Sequence, residues 1–332
     1  MAIQDRRENL WAIVLAAGEG TRLSPLTRSL YGWDVPKQFA ALWGERTFLA
    51  RTLDRIAPIV PRERTIIVVS SECKELAQEQ LADYSGVLVA YQPNNRGTGA
   101  GVLLPLVHVL AKDPDARVVI FPSDHHIEQE QPFRDAVRRA LRAIDFAPSR
   151  TVLIGAKAES PATDLGWIDC VGSRGPLTVR GWGVKAFIEK PDASTALDLH
   201  RQGALWNTMI VASRGASLFE LADRHIPKVC WCFMTYRALI GHRGADDFLR
   251  GIYPGLPVTD FCRDILQHDQ GLAVTPMVDA GWSDCGTPER LFRAMEPSHE
   301  DAQLLVRLRR RAPLFENVST AAWQMLEARR AN

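Results

Sequence analysis

The feature that most constrains this chain is a short apolar run that opens into a glycine-rich loop. Residues 12–16 have the length and composition of a buried parallel strand, and Gly18, Gly20 and Arg22 follow directly. Glycines carry no Cβ and tolerate positive φ, so backbone N–H groups in such a loop can turn towards an anion. The order of strand, glycine loop and basic residue predicts a phosphate-binding site, to which Arg22 and Lys37 would add charge.

Two common glycine-loop patterns do not fit this loop. It lacks the Gly-Lys-Ser/Thr ending of a P-loop, and Leu23 stands where a dinucleotide-binding fingerprint has its third glycine. Residues 15–27 and 36–38 instead read L-A-A-G-E-G-T-R-L-S-P-L-T and P-K-Q. This order resembles the signature of the sugar-1-phosphate nucleotidyltransferases, also called sugar-nucleotide pyrophosphorylases, and most of all their mannose-1-phosphate guanylyltransferase branch.

Composition limits the partners of the chain. The 332 residues are 46% apolar and 24% charged, with a net charge of +1, so no global basic field predicts binding to nucleic acid or to a membrane surface. Residues 1–9 are polar, and no stretch approaches a membrane span. The six cysteines form no CxxC pair, which favours reduced thiols and a cytoplasmic protein. Cys230 and Cys232 are predicted to share one face of a strand.

Up to about residue 150, apolar strands alternate with helical patterns, which predicts a mostly parallel sheet flanked by helices. Beyond residue 151 the turns become rich in glycine and proline, which predicts inserted antiparallel strands. The resemblance implies a Rossmann-like nucleotide-diphospho-sugar transferase fold. We expect one catalytic domain over residues 1–295 and an arginine-rich helical tail over 296–332, either packed on the domain or in contact with a second copy. We expect no fused isomerase or acetyltransferase domain.

Two aspartates follow predicted strands far apart in the sequence. Asp124 lies in FPSDHHI and Asp284 in GWSDCG. An aspartate after a strand also suits a turn or a helix N-cap, but two carboxylates at one sheet edge suit Mg²⁺, which prefers oxygen ligands. The resemblance implies that both bind the catalytic magnesium. His125 and His126 are interpreted as structural residues.

The resemblance also implies a site for the sugar phosphate. In FIEKP, Glu189 would accept hydrogen bonds from sugar hydroxyls and Lys190 would meet the phosphate, with Gly166, Asn207 and Asp260 completing the site. Two positions depart from the family pattern. Met209 stands where the W-N-S-G turn has glycine, and Asp169 replaces a glutamate, which would change the choice of sugar hydroxyls.

The nucleotide is expected to lie on the glycine loop and on the loop after the third strand. The predicted contacts are Leu15, Ala17, Gly18, Gly20, Thr21, Gln92, Arg96, Gly97 and Thr98. The sequence around Arg96, P-N-N-R-G-T, is similar to guanylyltransferases, whereas Gln92 with the G-T-G run also resembles uridylyl- and thymidylyltransferases.

The resemblance implies that the chain transfers a nucleotidyl group from a nucleoside triphosphate to a sugar 1-phosphate, with Arg22, Lys37 and Lys190 as catalytic cations. GTP and mannose 1-phosphate are the first expected pair, giving GDP-mannose and pyrophosphate. Another base or sugar remains an alternative, as does a non-catalytic sugar-nucleotide sensor on the same fold.

Overall fold

The computed structural model describes residues 9–42, 44–171, 181–295, 304 and 306–308. Within them the helices of seven residues or more are α1 Ser24–Tyr31, α2 Phe48–Ile56, α3 Lys74–Gln80, α4 Gly97–Lys112, α5 Glu130–Phe146, α6 Ala193–Gln202, α7 Gly215–His225, α8 Pro227–Leu239, α9 Ala245–Ile252 and α10 Pro288–Met295. The strands are β1 Leu10–Ala16, β2 Thr65–Ser70, β3 Leu88–Gln92, β4 Arg117–Pro122, β5 His126–Ile127, β6 Val152–Lys157, β7 Gly166–Val171, β8 Trp182–Glu189, β9 Leu205–Arg214, β10 Ala273–Met277 and β11 Trp282–Ser283.

Nine of the described strands form one sheet in the order β3-β2-β1-β4-β9-β6-β10-β8-β7. The strands β1 to β4 pair in parallel, as their connection through α2, α3 and α4 requires. Only β8 and β9 run against the common direction. A mostly parallel sheet with antiparallel strands beyond residue 151 is therefore confirmed. A separate two-stranded ribbon joins β5 to β11.

Apolar cores cover both faces of the sheet, because successive side chains of a strand point to opposite sides. From β1, Val14 enters the core that contains α1, α2 and α5, whereas Ile13 enters the core formed with α4, α7 and α8. Helix α4 is buried along most of its length, so its sequence is apolar on nearly every side. The two cores thus hold the sheet in place from both sides, including the ends of β1, β3 and β4, which the predicted substrate loops follow.

The expected strand around Cys230 and Cys232 is wrong, since both residues lie in helix α8. Proline at its first position is compatible with a helix start, and the buried residues Val229, Cys230, Phe233 and Tyr236 follow helical spacing. Cys230 is buried while Cys232 is half-buried, and all six cysteines are free.

The predicted tail, residues 296–332, lies outside the described residues except for 304 and 306–308. Leu304 and Leu308 are buried in the first core, and Arg307 donates to the main-chain oxygens of Ala41 and Gly44. These residues pack on the domain. None of the described helices is long and apolar enough to cross a membrane.

Helix α2 begins at a side-chain cap, and its first residue, Phe48, packs against Lys37. The Thr47 hydroxyl accepts a hydrogen bond from the Ala50 N–H at 3.2 Å, and Phe48 places its ring centroid 5.2 Å from the Lys37 ammonium.

Replacing Thr47 with alanine removes this cap, and we expect the free energy of unfolding to fall by about 1 kcal/mol. Thr47→Ser keeps the acceptor oxygen and should remain close to the wild type. Urea unfolding followed by circular dichroism measures both. An equal loss in the two variants would assign the effect to the threonine methyl group instead of the cap.

Candidate functional site

The loops that follow β1, β3 and β4 meet at one edge of the sheet, where α/β proteins bind ligands. Ser123, just after β4, donates to the Leu15 main-chain oxygen from both its N–H and its hydroxyl. Asn95, after β3, donates from its amide to Glu19 Oε1 at 2.9 Å. These contacts bring the three predicted substrate loops together.

The glycine loop is shaped by a buried glutamine and by one tight glycine. Gln38 donates from Nε2 to the main-chain oxygens of Ala16 and Gly18, at 2.9 and 2.8 Å. Gly20 has φ of +64°, and a Cβ there would lie 2.9 Å from the Lys37 nitrogen. A Cβ at Gly18 would meet nothing within 4 Å. Gly20 is therefore required by packing, whereas Gly18 faces open space.

The other predicted contacts of this loop differ in exposure. Leu15 and Ala17 are half-buried, and Thr21 is exposed at the start of a short 3-10 helix. Arg22 follows with a side chain 55% exposed. The backbone of the loop and the Arg22 guanidinium are thus accessible to a ligand.

Lys37 joins the two predicted metal ligands from inside the protein. Its side chain is 4% exposed, and its ammonium donates to Asp124 Oδ2 at 3.2 Å and to the Asp284 main-chain oxygen. Burial of the Asp124 carboxylate raises its pKa, but the charges of Lys37 and His125 and the hydrogen bonds to the carboxylate together outweigh this effect and leave the pKa of Asp124 below its ordinary value. Lys37 therefore keeps Asp124 ionised and holds it next to Asp284.

Asp284 belongs to a chain of alternating charges. Arg290 approaches both of its carboxylate oxygens, with Nε 2.7 Å from Oδ1 and Nη2 3.1 Å from Oδ2. The same guanidinium binds Asp164 with two hydrogen bonds, at 2.9 and 2.6 Å, and Arg22 binds Asp164 at 2.7 Å. Hydrogen bonding from Arg290 lowers the pKa of Asp164 to about 2. One carboxylate thus holds two arginines at the site.

The predicted sugar-site residues Gly166, Glu189 and Lys190 lie together where β7 pairs with β8. Gly166 is opposite Glu189 in the register, and a Cβ at Gly166 would lie 2.6 Å from Glu189 Oε2. Lys190 has φ of +50°, and its Nζ lies 3.4 Å from Glu189 Oε1. Burial raises the pKa of Glu189, although Lys190 opposes this shift.

Asn207 lies in strand β9 and not in a turn. A register shift opposite Ile154 and Gly155 accommodates two extra residues, so the chain bulges without leaving the sheet. Asn207 is buried; its Oδ1 accepts from the Met209 N–H at 3.1 Å, and its Nδ2 donates to Cys262 Sγ at 3.4 Å.

Asp260 and Asp169 have different surroundings. Asp260 Oδ1 accepts from the N–H groups of Cys262 and Arg263, both at 2.9 Å, and so caps a short π-helix over Phe261–Ile265. Asp169 instead pairs with Lys185 at 2.9 Å and is absent from the cavity lining. Selection of sugar hydroxyls by Asp169 is therefore not supported, because Asp169 lies on the strand face opposite to Gly166.

The predicted nucleotide loop is fastened to the segment before Asp260. Arg96 donates to the main-chain oxygens of Tyr253 and Pro254, and Thr98 accepts from the Phe261 N–H at 2.8 Å. Gly97 has φ of +79°, and a Cβ there would lie 2.2 Å from the Thr259 oxygen. The guanidinium of Arg96 is thus occupied by the protein, which gives it a positioning role in this structure.

Gln92 is the last residue of β3 and directly precedes this loop. It is buried at the end of β3, and its Oε1 would be 3.5 Å from a Cβ at Gly101. A Cβ at Gly101 would therefore make only an ordinary van der Waals contact with this amide.

The segments surround a cavity of about 210 Å³. Its charged lining includes Arg22, Asp164, Glu189, Lys190, Asp260 and Asp284. His125 also lines it, and its Nδ1 accepts from the Trp282 Nε1 at 3.3 Å. The cavity lining thus combines two exposed cations, Arg22 and Lys190, with several carboxylates.

The sequence profile of the family described as nucleotidyl transferase matches residues 11–231, more than half of the chain. The chain belongs to the nucleotidyl transferase family. The crystal structure described as mannose-1-phosphate geranyltransferase from Thermus thermophilus is 29% identical, with a TM-score of 0.74, and the match covers 86% of this chain and 79% of that one. The predicted nucleotide-diphospho-sugar transferase fold is thereby confirmed.

Two curated relatives are similar along much of this nucleotidyl transferase. The xanthan biosynthesis protein XanB of Xanthomonas campestris pv. campestris is 29% identical over 299 residues, which are 88% of this chain and 60% of that protein. Mannose-1-phosphate guanylyltransferase RfbM of Salmonella typhimurium is 28% identical over 298 residues, which are 87% of this chain and 59% of that protein. The chain thus spans about 60% of the length of these relatives.

Several residues of this nucleotidyl transferase site were not predicted from the sequence as site residues, among them Asp164, Met209, Cys262 and Arg290. Arg290 stands six residues after Asp284, at the start of α10, and Asp164 stands two residues before Gly166, so nearness to a motif was an available signal. Cys262 likewise stands two residues after Asp260, but only folding brings its thiol to Asn207.

The donor set at the site suits Mg²⁺. In the described ranges no group of three or more His, Cys, Asp or Glu side chains could hold a metal ion. Asp124 and Asp284 nevertheless meet through Lys37, and two carboxylates together with phosphate oxygens are a usual magnesium environment. The residues therefore fit a magnesium ion that arrives with a phosphate ligand.

The raised pKa of Glu189 has a consequence for stability. The native state retains the Glu189 proton to higher pH than the unfolded chain does, so ionisation of Glu189 destabilises the fold as pH rises through its pKa. Glu189→Gln removes this titration. We expect the variant to gain stability relative to the wild type as pH rises from the ordinary glutamate range towards neutrality. Urea unfolding at a series of pH values measures the difference, and a difference independent of pH would contradict the assignment.

Proposed function

We propose that this nucleotidyl transferase moves a nucleotidyl group from a nucleoside triphosphate to a hexose 1-phosphate. GTP and mannose 1-phosphate are the proposed pair, and GDP-mannose and pyrophosphate the products. The observation that carries the proposal is a cavity lined by Arg22, Asp284 and the Glu189–Lys190 strand end, beside which Lys37 joins Asp124 to Asp284.

The reaction needs positioning more than proton transfer. A sugar phosphate is largely ionised at neutral pH, so its oxygen can attack the α-phosphorus without a general base. A bond forms between that oxygen and the α-phosphorus, and the bond from the α-phosphorus to the bridging oxygen breaks in line with it, releasing pyrophosphate. His125 and His126 are not required as bases.

The exposed cations at the cavity suit the two phosphate partners. The Arg22 guanidinium is 55% exposed and the Lys190 side chain 51% exposed, and both line the cavity. We assign Arg22 to the triphosphate and Lys190 to the sugar phosphate. Backbone N–H groups near Gly18 have room to approach a phosphate. Fixed charges of this kind stabilise the charge that develops in the transition state.

Asp124 and Asp284 would hold Mg²⁺ together with phosphate oxygens. A bound magnesium ion supplies charge neutralisation at the α-phosphate and a common centre for both reactants. Lys37 keeps Asp124 ionised and adjacent to Asp284, and Arg290 balances the charge of Asp284.

Guanosine and mannose are proposed because one relative is described as a mannose-1-phosphate guanylyltransferase. The P-N-N-R-G-T loop also favours a guanylyltransferase. We further propose a cytoplasmic location, since free thiols persist in a reducing compartment.

Pyrophosphate release with magnesium, each of five nucleoside triphosphates and either mannose 1-phosphate or glucose 1-phosphate tests the proposal. Release that needs both GTP and mannose 1-phosphate, and that Asp124→Ala abolishes, would support it. Release with another pair would retain the chemistry and replace the named substrates. No release from folded protein that binds a nucleotide would favour a sensor.

Arg22→Ala should lower kcat/KM by roughly 100-fold or more, the usual cost of losing one charge-stabilising donor. Its exposed ion pair with Asp164 contributes little to stability, so the thermal melting midpoint should not change. Steady-state pyrophosphate release and a thermal melt measure the two properties.

Arg28→Ala is the matched control for this change. Arg28 is also an exposed arginine, on α1, and pairs with Asp34 away from the cavity lining. We expect it to retain activity. A large drop in the melting midpoint of Arg22→Ala, or equal activities of the two variants, would contradict the role of Arg22.

A further inference from the structure

Two guanidinium groups converge on the Asp164 carboxylate at the lining of the cavity. Arg22 donates from Nη1 to Asp164 Oδ2 at 2.7 Å, and Arg290 donates to both carboxylate oxygens, at 2.9 and 2.6 Å. A Cβ at Gly286 would lie 2.8 Å from Arg22 Nη2 and 3.0 Å from Arg290 Nη2, so the two cations approach the same point. Paired guanidinium groups suit a phosphate or a carboxylate. Here a carboxylate of the chain itself occupies them.

The two arginines are held with different firmness. The Arg290 side chain is 20% exposed and also binds Asp284, with its Nε 2.7 Å from Oδ1. The Arg22 side chain is 55% exposed, and Asp164 is its one hydrogen-bond partner within the described residues. Because a single exposed ion pair contributes little free energy, the bond from Arg22 to Asp164 is the one that a ligand can exchange.

The exchangeable pair bridges two parts of the cavity lining. Arg22 follows the glycine loop, whereas Asp164 lies between β6 and β7, two residues before Gly166. Both side chains line the cavity, so an anion that enters it meets a cation that already has a partner. Hydrogen bonding from Arg290 keeps the pKa of Asp164 at about 2. The competing carboxylate is therefore charged throughout the neutral range.

Resting on the assignment of Arg22 to the triphosphate in the proposed function, we propose that Asp164 competes with the triphosphate for Arg22. The triphosphate binds by replacing the Asp164 carboxylate with its own oxygens on the Arg22 guanidinium. Arg290 retains Asp164 through its two hydrogen bonds, so the carboxylate keeps a partner after the exchange. The lost ion pair lowers the affinity for a phosphate ligand. Asp164 is thus a positioning residue that acts on the ligand through Arg22.

The test removes the charge of Asp164 and measures the binding of phosphate ligands. Asp164→Asn keeps the size of the side chain, and calorimetric titrations use GTP with magnesium and, separately, inorganic pyrophosphate. We expect the Kd of each ligand to fall about threefold, the effect of one exposed ion pair. Asp164→Glu retains the charge and should leave both Kd values close to those of the wild type.

A double-mutant cycle shows whether the effect passes through Arg22. Removing a negative charge beside the cavity also favours an anion directly, without any exchange of partners. We therefore repeat the GTP titration in the Arg22→Ala background, where the base and ribose supply contacts of their own. The gain from Asp164→Asn should largely disappear there. A gain at least as large as in the presence of Arg22 would overturn the proposal.

Asp34→Asn is the matched control. Asp34 pairs with Arg28, which is also an exposed arginine, and neither residue lines the cavity. The substitution removes the same charge from the same kind of ion pair and should leave both Kd values unchanged. Thermal melts establish that all variants are folded, and Asp164→Ser provides the same test if Asp164→Asn does not fold.

Asp164→Asn protein that binds both ligands no more tightly than the wild type would overturn the proposal. If the wild type binds neither ligand, binding by Asp164→Asn would still support the exchange, and no binding by either protein would overturn it. Failure of the proposed function has a different signature. The gain in binding would then be present and dependent on Arg22, while no pair of substrates releases pyrophosphate.

Discussion

The site depends on one buried ammonium group. Lys37 is almost fully removed from water, so its charge needs partners, and it finds them in the Asp124 carboxylate and the Asp284 main-chain oxygen. These partners are 87 and 247 residues away along the chain. A single charge therefore ties the loop after β1 to the end of β4 and to the segment after β11. Gly20, which leaves no room for a Cβ beside the Lys37 backbone, lets the glycine loop lie directly against it.

A second set of charged side chains connects Asp284 to the surface of the cavity through ion pairs. Asp284 is held by Arg290, Arg290 by Asp164, and Asp164 by Arg22. Signs alternate along this series, so each charge is balanced by a neighbour. Its outer end, Arg22, is the most exposed member and the one available to an anionic ligand. Lys37 and Arg290 thereby hold Asp124 and Asp284 in place through contacts inside the protein, while the Arg22 side chain is exposed to solvent.

The two substrate regions are mechanically joined as well. Arg96 and Thr98 of the predicted nucleotide loop bind the segment from Tyr253 to Phe261, and Asp260 of the predicted sugar site lies in that same segment. Gly97 permits the contact because its conformation and the nearness of Thr259 exclude a side chain. A shift of one loop would therefore displace the other, which couples the predicted nucleotide loop to the predicted sugar site.

The sequence by itself determined the sheet class and the glycine loop, because strand periodicity and local motifs are short-range properties. It also predicted several residues that line the cavity, among them Arg22, Glu189 and Asp284. It assigned Gly166 and Glu189 to the same predicted site, and the structure pairs them across β7 and β8. It could not show that Lys37 is buried between the aspartates, that Arg96 is occupied by main-chain oxygens, or that Arg290 and Asp164 complete the charge network. The cysteines at 230 and 232 were misread as strand residues because a short apolar run fits either period. Nor could the sequence show that Met209 takes a left-handed conformation and meets Cys262. Only tertiary structure decided these points, since most of these contacts join residues far apart in the chain and form only after the strands have been ordered in the sheet.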